Sequence, residues 1–361
     1  MSLIPQHILD LQPYVPGRTI DEIKRAYGIN RVIKLASNEN PLGVSPQAVQ
    51  AMIASMHEIN RYPDISSFLL REKLSEMFNV NSDAIITGHG SEAIMQAAVR
   101  TFLTNGDEVI TCKGTFVGFY VMVNACGIKM ILVPLKEYKF DLNIIADAIT
   151  PKTKIIYLAN PNSPTGTFFH KDEFDDFMNN LPEGIIVIVD EAYFEFVKGN
   201  SLFPDSLDYK LDNVITLRTF SKAYGLAGIR LGYGFGKPEL IEHIHKVRLP
   251  FEPGVPSQAA GVAALNDKQF LDYYLELNNK GKEFFYSLYD RLGIEYVKSE
   301  TNFVMSIFDS EDMVNKLSEK LLRKGVIVRP LRPFGLPHCI RVTVGLQEEN
   351  EFYAKALEEV L

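Results

Sequence analysis

The sequence predicts an α/β fold in which helices cover both faces of a mostly parallel sheet and a smaller α/β domain follows. Between about residues 80 and 235, short β-branched runs alternate with helix-like segments, the pattern of strand–helix–strand units. One run, IIVIV at 185–189, is apolar throughout, as expected of a strand buried on both faces. After residue 256, long helical stretches separate the strands, and this change of texture predicts the second domain.

Each predicted element follows from its local sequence. The first thirty residues are predicted to form an arm, because Pro13, Pro16 and Gly17 interrupt regular structure. The runs that predict the strands of the large sheet are AIITG, EVITC, KMILVPL, KIIYLANP, IIVIVDEAY, NVITLRTF and RLGYGFG. Helix-like segments such as SEAIMQAAVRTFL and KDEFDDFMNN lie between several of these runs.

The C-terminal part begins after the breaker cluster PFEPGVP. We predict a long helix over about 257–291, strands at FVMSIF, VIVRP and CIRVTVG, a helix near 311–324 and a last helix at the end. The predicted organisation is an arm over 1–30, a large cofactor-binding domain over 31–250 and a small domain over 251–361, which takes part of the arm.

Composition narrows the class of protein. The chain has 361 residues, 46% of them hydrophobic and 23% charged, as in soluble globular proteins of two domains. A net charge of −8 argues against nucleic acid as a general partner, while a local basic pocket for an acidic small molecule stays open. We find no signal-peptide pattern and no apolar run long enough for a membrane span. The three cysteines share no disulfide or metal spacing, which fits a reducing cytoplasm and predicts no metal site.

Polar side chains directly follow four of the predicted strands, in the stretches HGSEA, NPNSPTG, DEAY and TFSK. Ligands of α/β sheets bind at the carboxyl ends of strands, so these side chains are expected to converge. Lys222 lies in the last stretch among small and aromatic residues, and Arg230 follows eight residues later. Since lysine is rarely buried without a partner or a function, one ligand held by both cations competes with the alternative of two solvated surface cations.

Three of these stretches have both a structural and a functional interpretation. Asp190 follows five apolar residues, so its carboxylate needs a protein cation, a helix N-terminus or a cationic ligand nitrogen. Asn162 lies in a turn set by two prolines and a glycine, and its amide could also donate to a ligand. GHGSEA matches a dinucleotide fingerprint, but the next strand ends without the acid that holds a ribose. A helix N-terminus suited to phosphate, or a plain turn, remains.

Taken together, the motifs resemble those of the fold-type I pyridoxal-phosphate aminotransferases, and among these the histidinol-phosphate aminotransferases. The motifs are LASNENPLG at 35–43, RYPD at 61–64, GHGSEA at 88–93, NPNSPTG at 160–166, VDEAYFEF at 189–196, TFSKAYGLAGIRLGY at 219–233, TNFV at 301–304 and IRVTVG at 340–345. They follow the family's order over nearly the whole chain. The resemblance implies transamination of L-histidinol phosphate with 2-oxoglutarate, a step of histidine biosynthesis, with pyridoxal 5′-phosphate as cofactor.

The resemblance also implies roles for individual residues. Lys222 would form the Schiff base with the cofactor and carry the substrate proton, and Asp190 would keep the pyridine nitrogen protonated. The ring face, ring oxygen and phosphate of the cofactor would be contacted by Phe116, Asn162, Tyr193, Gly90, Ser91, Glu92, Thr219, Ser221 and Arg230.

Further implied residues concern the partner subunit and the substrate. Tyr62 would reach the phosphate from the neighbouring subunit, so the resemblance implies a homodimer with its active site at the interface. Arg341 would clamp the anionic group of the substrate by bidentate bonding. The remaining expected substrate contacts are Tyr14, Asn38 and Arg329, although Arg329 could instead belong to a surface basic patch.

Several positions depart from the family pattern. His89 stands where Asn is common, Ala93 where an acid is common, and Phe119 where Tyr is common. Glu252 replaces the Asn of the family's PFN, and it would repel a substrate phosphate if it faced the site. An aromatic or broad-range amino-acid aminotransferase and an amino-acid phosphate decarboxylase therefore stay open. A nicotinamide dehydrogenase lacks its ribose acid, and for an aminotransferase-like regulator we expect no room for a DNA-binding domain.

Overall fold

A computed structural model of the protein describes residues 3–11, 17–209 and 212–361. The strands are β1 (Ile33–Lys34), β2 (Ile85–Gly88), β3 (Glu108–Cys112), β4 (Lys129–Val133), β5 (Thr153–Ala159), β6 (Ile186–Asp190), β7 (Val214–Thr219), β8 (Gly232–Phe235), β9 (Glu295–Val297), β10 (Phe303–Ile307), β11 (Val326–Ile327), β12 (Arg329–Pro330) and β13 (Cys339–Thr343). The helices are α1 (Gln6–Leu9), α2 (Ile20–Tyr27), α3 (Pro46–Ser55), α4 (Phe68–Phe78), α5 (Ser91–Phe102), α6 (Val117–Ala125), α7 (Leu142–Asp147), α8 (Lys171–Asn179), α9 (Phe194–Val197), α10 (Pro238–Val247), α11 (Val255–Asn266), α12 (Lys268–Leu292), α13 (Glu311–Arg323) and α14 (Gln347–Val360).

The predicted α/β fold is confirmed. Seven strands form the large sheet in the order β2-β8-β7-β6-β5-β3-β4. β4, β3, β5, β6 and β7 run parallel to one another, and β8 is antiparallel to both of its neighbours. Every residue of β6 and β7 is buried, as the apolar runs predict for central strands. A buried cluster of side chains from these strands and the helices around them forms the main core.

The C-terminal part contains a four-stranded antiparallel sheet in the order β12-β13-β10-β9. Two features differ from the sequence prediction. The run VIVRP is divided, because β11 pairs with the N-terminal β1 while β12 pairs with β13. The long helix is interrupted at Asp267, whose carboxylate accepts hydrogen bonds from Phe270 N and Ser45 Oγ. That carboxylate caps α12, so the chain restarts as a second helix there instead of continuing α11.

The division into an arm, a large domain and a small domain stays a prediction. Segments cross the predicted boundaries: Ile33 and Leu35 belong to the core cluster of the C-terminal sheet, and α11 packs against α3 and α4. Within the described ranges, none of the helices combines the length and the apolar composition needed to cross a membrane.

Candidate active site

The carboxyl ends of β5, β6 and β7 border one cavity of about 220 Å³, together with the start of α5 and the strand pair β12–β13. The sequence-predicted site residues in its lining are Asn38, Ser91, Glu92, Phe116, Asp190, Tyr193, Thr219, Ser221, Lys222, Arg230, Arg329 and Arg341. The expected convergence of side chains at the strand ends is therefore observed.

Asp190, the last residue of β6, lies in the wall of this cavity and is only 6% exposed. Its carboxylate accepts hydrogen bonds from Tyr157 Oη at 2.7 Å and from Ala192 N at 3.2 Å, which are both neutral donors. Burial raises the pKa of Asp190 to about 6, against the opposing effect of these two hydrogen bonds. A buried carboxylate with neutral donors and an open cavity beside it is suited to a cationic ligand atom.

Lys222 follows β7 in the loop TFSK and is partly buried in the cavity wall. Its Nζ lies 3.5 Å from Ser37 O and 5.9 Å from the centre of the Tyr193 ring. The Tyr193 hydroxyl accepts a hydrogen bond from Asn38 Nδ2 at 2.7 Å, which fixes both side chains in the cavity wall. The amine lines the cavity, and its contacts with Ser37 O and the Tyr193 ring are long. A ligand can therefore bind the amine without breaking a strong hydrogen bond.

One end of the cavity is built to receive an anion. Gly90 precedes α5 with a φ of 79° and no side-chain cap, so backbone N–H groups at the helix start stay available. A methyl group on Gly232 would lie 2.2 Å from Ser91 N, so only glycine permits this close turn. Arg230 lies at the same end, where its Nη2 is 2.7 Å from Glu92 Oε2. A guanidinium and a helix N-terminus together fit a phosphate group.

The opposite end carries Arg329 and Arg341, which face each other as direct partners of β12 and β13. Arg341 donates to Ser163 Oγ at 3.1 Å and to Ala36 O at 2.9 Å, and it is only 6% exposed. Both guanidinium groups line the cavity within 6 Å of the Phe334 ring, at 5.8 Å for Arg329 and 5.7 Å for Arg341. Like charges directly opposite each other destabilise a sheet, and an anion bound by both removes that cost.

A buried ion pair lies directly behind the cavity. Arg218 Nη2 is 2.7 Å from Glu191 Oε2 and 2.7 Å from Asp205 Oδ1, and the Arg218 and Glu191 side chains are fully buried. Because Glu191 follows Asp190 and Arg218 precedes Thr219, the pair ties the ends of β6 and β7 together. The sequence does not indicate this contact, because the spacing of Arg218, Glu191 and Asp205 along the chain gives no sign that they meet.

Asn162 is not among the residues that line the cavity, and its contact with a ligand stays a prediction. Its Nδ2 donates to Gly114 O at 3.0 Å and Thr165 Oγ1 at 2.9 Å, and its Oδ1 accepts from Thr115 Oγ1 at 2.7 Å. The amide thus makes three hydrogen bonds within the protein, and its neighbours Pro161 and Ser163 line the cavity. No sequence signal other than the position next to Asn162 points to Ser163.

Of three further residues singled out in the sequence, Tyr62 and Glu252 are not among those that line the cavity, and Tyr14 is not described. Tyr62 is 79% exposed and stacks on Phe251, with ring centres 4.2 Å apart. Tyr14 falls outside the described residues. Glu252 lies beside Arg248, and burial raises its pKa against the effect of that arginine. Glu252 therefore does not face the cavity of its own chain.

Comparison with known proteins gives concordant matches. The sequence profile of the family "Aminotransferase class I and II" matches residues 30–357. Over 357 residues the chain is 41% identical to the histidinol-phosphate aminotransferase of Moorella thermoacetica, covering 98% of this chain and 92% of that protein. It is 40% identical to the histidinol-phosphate aminotransferase of Anaeromyxobacter sp. (strain Fw109-5) over the full length of both chains, 100% of each.

A solved structure is similar over the same extent. The crystal structure of histidinol-phosphate aminotransferase from Sinorhizobium meliloti, in complex with pyridoxal-5′-phosphate, superposes with a TM-score of 0.91. The two chains are 27% identical, and the match covers 100% of this chain and 98% of that chain.

Proposed function

The chain belongs to the class I and II aminotransferase family, and from this premise we propose that it transfers the amino group of L-histidinol phosphate to 2-oxoglutarate. The products are imidazole acetol phosphate and glutamate, and the reaction belongs to histidine biosynthesis. Two observations support this substrate: relatives about 40% identical over the whole chain carry that activity in their names, and Arg329 and Arg341 line one end of the cavity. The cofactor is pyridoxal 5′-phosphate.

The residues that line the cavity fit this cofactor in their charges and in their arrangement. The cofactor phosphate would be held by the start of α5, by Arg230 and by the hydroxyls of Thr219 and Ser221. Gly232 allows the start of α5 to approach closely, and Arg230 supplies positive charge at this end of the cavity. Asp190 would hold a proton on the ring nitrogen, and Phe116 would cover a ring face. When bound, the cofactor supplies an aldehyde for amines and a ring that withdraws electrons from the substrate Cα.

Lys222 Nζ is the group that takes the proton from the substrate Cα and returns it during turnover. Its position supports this role, because it is the lysine of the cavity lining and no salt bridge among the described residues holds its amine. Tyr193 lies beside Lys222 and would hydrogen-bond the oxygen on the cofactor ring. The family resemblance implies the same contact for Asn162. Pro161 and Ser163 of the turn around Asn162 line the cavity.

The arginine pair is the structural observation that supports anionic substrates. Histidinol phosphate and 2-oxoglutarate are both anionic, and Arg329 with Arg341 would bind the phosphate of one and a carboxylate of the other. Glu252, the departure that weighed against a phosphate, lies outside the cavity lining of its own chain. The pair also fits the two carboxylates of 2-oxoglutarate, so the choice of histidinol phosphate as the amino donor rests on the similarity to the named relatives.

Changing the arginine pair is expected to raise KM for histidinol phosphate. Arg341→Lys keeps the charge and loses bidentate geometry, and Arg329→Gln loses one charge. We expect kcat/KM to fall roughly 10- to 100-fold in each, the usual worth of one charge-assisted hydrogen bond, mainly through KM. Steady-state kinetics measure this. Arg332→Gln is the control, because Arg332 pairs with Glu311 away from the cavity at 3.1 Å. Unchanged KM in both variants would contradict the assignment.

A homodimer with the active site at the subunit interface is part of the proposal. Apolar side chains of α3, α4 and the segment between them are unusually exposed: Ile53 58%, Met56 50%, Ile59 54%, Phe68 57% and Leu69 72%. Tyr62 is exposed and stacks on Phe251, and in the proposed dimer it would reach the partner's cavity. Since the free cysteines Cys112 and Cys339 are buried without a disulfide, a reducing cytoplasm is the proposed location.

Leu69→Glu is expected to convert the dimer to a monomer, since it places a charge in the apolar interface. Light scattering should report about twice the chain mass of 40.7 kDa for the wild type and a single chain for the variant. Loss of the partner's Tyr62 should also weaken cofactor retention, whereas Glu72→Gln, a polar change on the same helix, should alter neither. A fully active wild-type monomer would refute the interface site.

A further inference from the structure

Tyr157, a residue that the sequence did not single out, donates its hydroxyl proton to Asp190 Oδ2 at 2.7 Å. It lies on β5 and is completely buried. In the parallel pairing of β5 with β6, Ala159 is the partner of Asp190, and Tyr157 lies two residues earlier on the same face. The phenol therefore reaches the carboxylate diagonally along the sheet, from the side away from the cavity.

We propose that Tyr157 is a positioning residue for the cofactor, because its hydroxyl keeps the Asp190 carboxylate ionised and turned toward the ring nitrogen. This inference rests on the proposed function, since it concerns the cofactor that Asp190 would hold.

The Tyr157 ring cannot easily turn away from Asp190. Phe119 stacks on it with ring centres 4.0 Å apart and an angle of 13° between the planes. Thr111 Oγ1 donates to the Tyr157 carbonyl at 2.8 Å, which anchors the backbone of the strand as well. Both contacts are buried. The ring is therefore held in place, and no solvent molecule can replace Asp190 as the partner of the hydroxyl. Fixed donors of this kind orient the groups that contact a ligand.

The groups around Asp190 make this donor important. Burial raises its pKa, and Glu92 from α5 raises it further; Tyr157, Ala192 N–H and Lys222 lower it. The net result of these opposing effects is a pKa of Asp190 raised to about 6. Loss of the phenol would move the carboxyl toward its protonated form, in which it no longer stabilises a cationic nitrogen. Burial also holds the pKa of Tyr157 well above its usual value, so the phenol stays a donor.

The test is nitrogen-15 NMR of the holoenzyme loaded with pyridoxal phosphate labelled at the ring nitrogen. The wild type should show a protonated nitrogen, and Tyr157→Phe should shift the resonance toward neutral pyridine. Cofactor loss on dialysis should become roughly tenfold faster, as for loss of one charge-assisted hydrogen bond. Tyr289→Phe is the control, because it removes a buried hydroxyl that lies 3.0 Å from Tyr353 Oη in the C-terminal core.

The outcomes separate this inference from the proposed function. A wild type that binds no pyridoxal phosphate would contradict the proposed function itself. A wild type with a protonated nitrogen and an unchanged Tyr157→Phe resonance would overturn the role of Tyr157 alone. If Tyr157→Phe fails to fold, Phe119→Leu keeps the hydroxyl but removes the stacked ring, and a smaller shift in the same direction is expected. No shift in that folded variant would likewise overturn the proposal.

Discussion

Replacing Lys222 with alanine is expected to abolish transamination while the protein stays folded and still binds cofactor. Proton transfer by a positioned side chain is worth roughly 10²- to 10⁴-fold in rate, so kcat should fall by at least about 10²-fold, and further because the amine that would form the Schiff base is also lost. Stability should change little, because the amine makes one long contact of 3.5 Å with Ser37 O and lies partly exposed. Rapid-mixing spectroscopy of the cofactor, together with a thermal melt, measures both effects.

The matched control for this prediction is Lys198→Ala. Lys198 lies 6.0 Å from the Phe194 ring, is exposed and is absent from the cavity lining, so its removal should leave the rate unchanged. Retained turnover in Lys222→Ala would contradict the role given to that amine. Equal losses in both lysine variants would point to general damage.

Replacing Asp190 with asparagine is expected to have the second-largest effect. The variant keeps the size of the side chain and can still accept from Tyr157, but it lacks the negative charge that a cationic ring nitrogen requires. Loss of one such electrostatic partner costs roughly 10²- to 10³-fold in kcat, and cofactor affinity should fall as well. Fluorescence titration with pyridoxal phosphate and single-turnover rates give the two values. Near-normal values for both would disprove the counter-ion role.

The same variant has a pH signature. Since the pKa of Asp190 is raised to about 6, its carboxylate is ionised above that pH and becomes protonated as the pH falls through it. Wild-type cofactor affinity should therefore decrease on acidification below about pH 6, whereas the asparagine variant cannot lose a charge it does not carry. The ratio of the two affinities should narrow from about pH 8 to about pH 5. Asp83→Asn, at an exposed position, should follow the wild type.

The part of the site that sequence patterns predict best lies at the strand ends. Asp190, Thr219 and Lys222 follow apolar runs, and the topology of a parallel sheet brings the ends of such runs to one edge. The order of the motifs along the chain indicates the family, and the family implies the cofactor. Apolar runs and the spacing of motifs are properties of short stretches of chain, which explains why they can be read from one sequence.

Other features depend on contacts between distant segments. The Tyr157 phenol and Asp190 are 33 residues apart, and the Arg218–Glu191 pair joins two strands. Neither has a sequence pattern of its own. The hydrogen bonds from Asn162 Nδ2 to Gly114 O and Thr165 Oγ1 likewise have no sequence pattern of their own. The break between α11 and α12 at Asp267 likewise involves a contact with a distant residue, Ser45.

The most direct test of the account is single-turnover conversion of the purified holoenzyme's cofactor to its amine form by different donors. Histidinol phosphate, phenylalanine, tyrosine and threonine phosphate would be mixed separately with the yellow protein, and the loss of visible absorbance would be followed. We expect rapid bleaching with histidinol phosphate and slow or no bleaching with the other three. Equal bleaching by the aromatic amino acids, or none with histidinol phosphate, would contradict the proposed substrate.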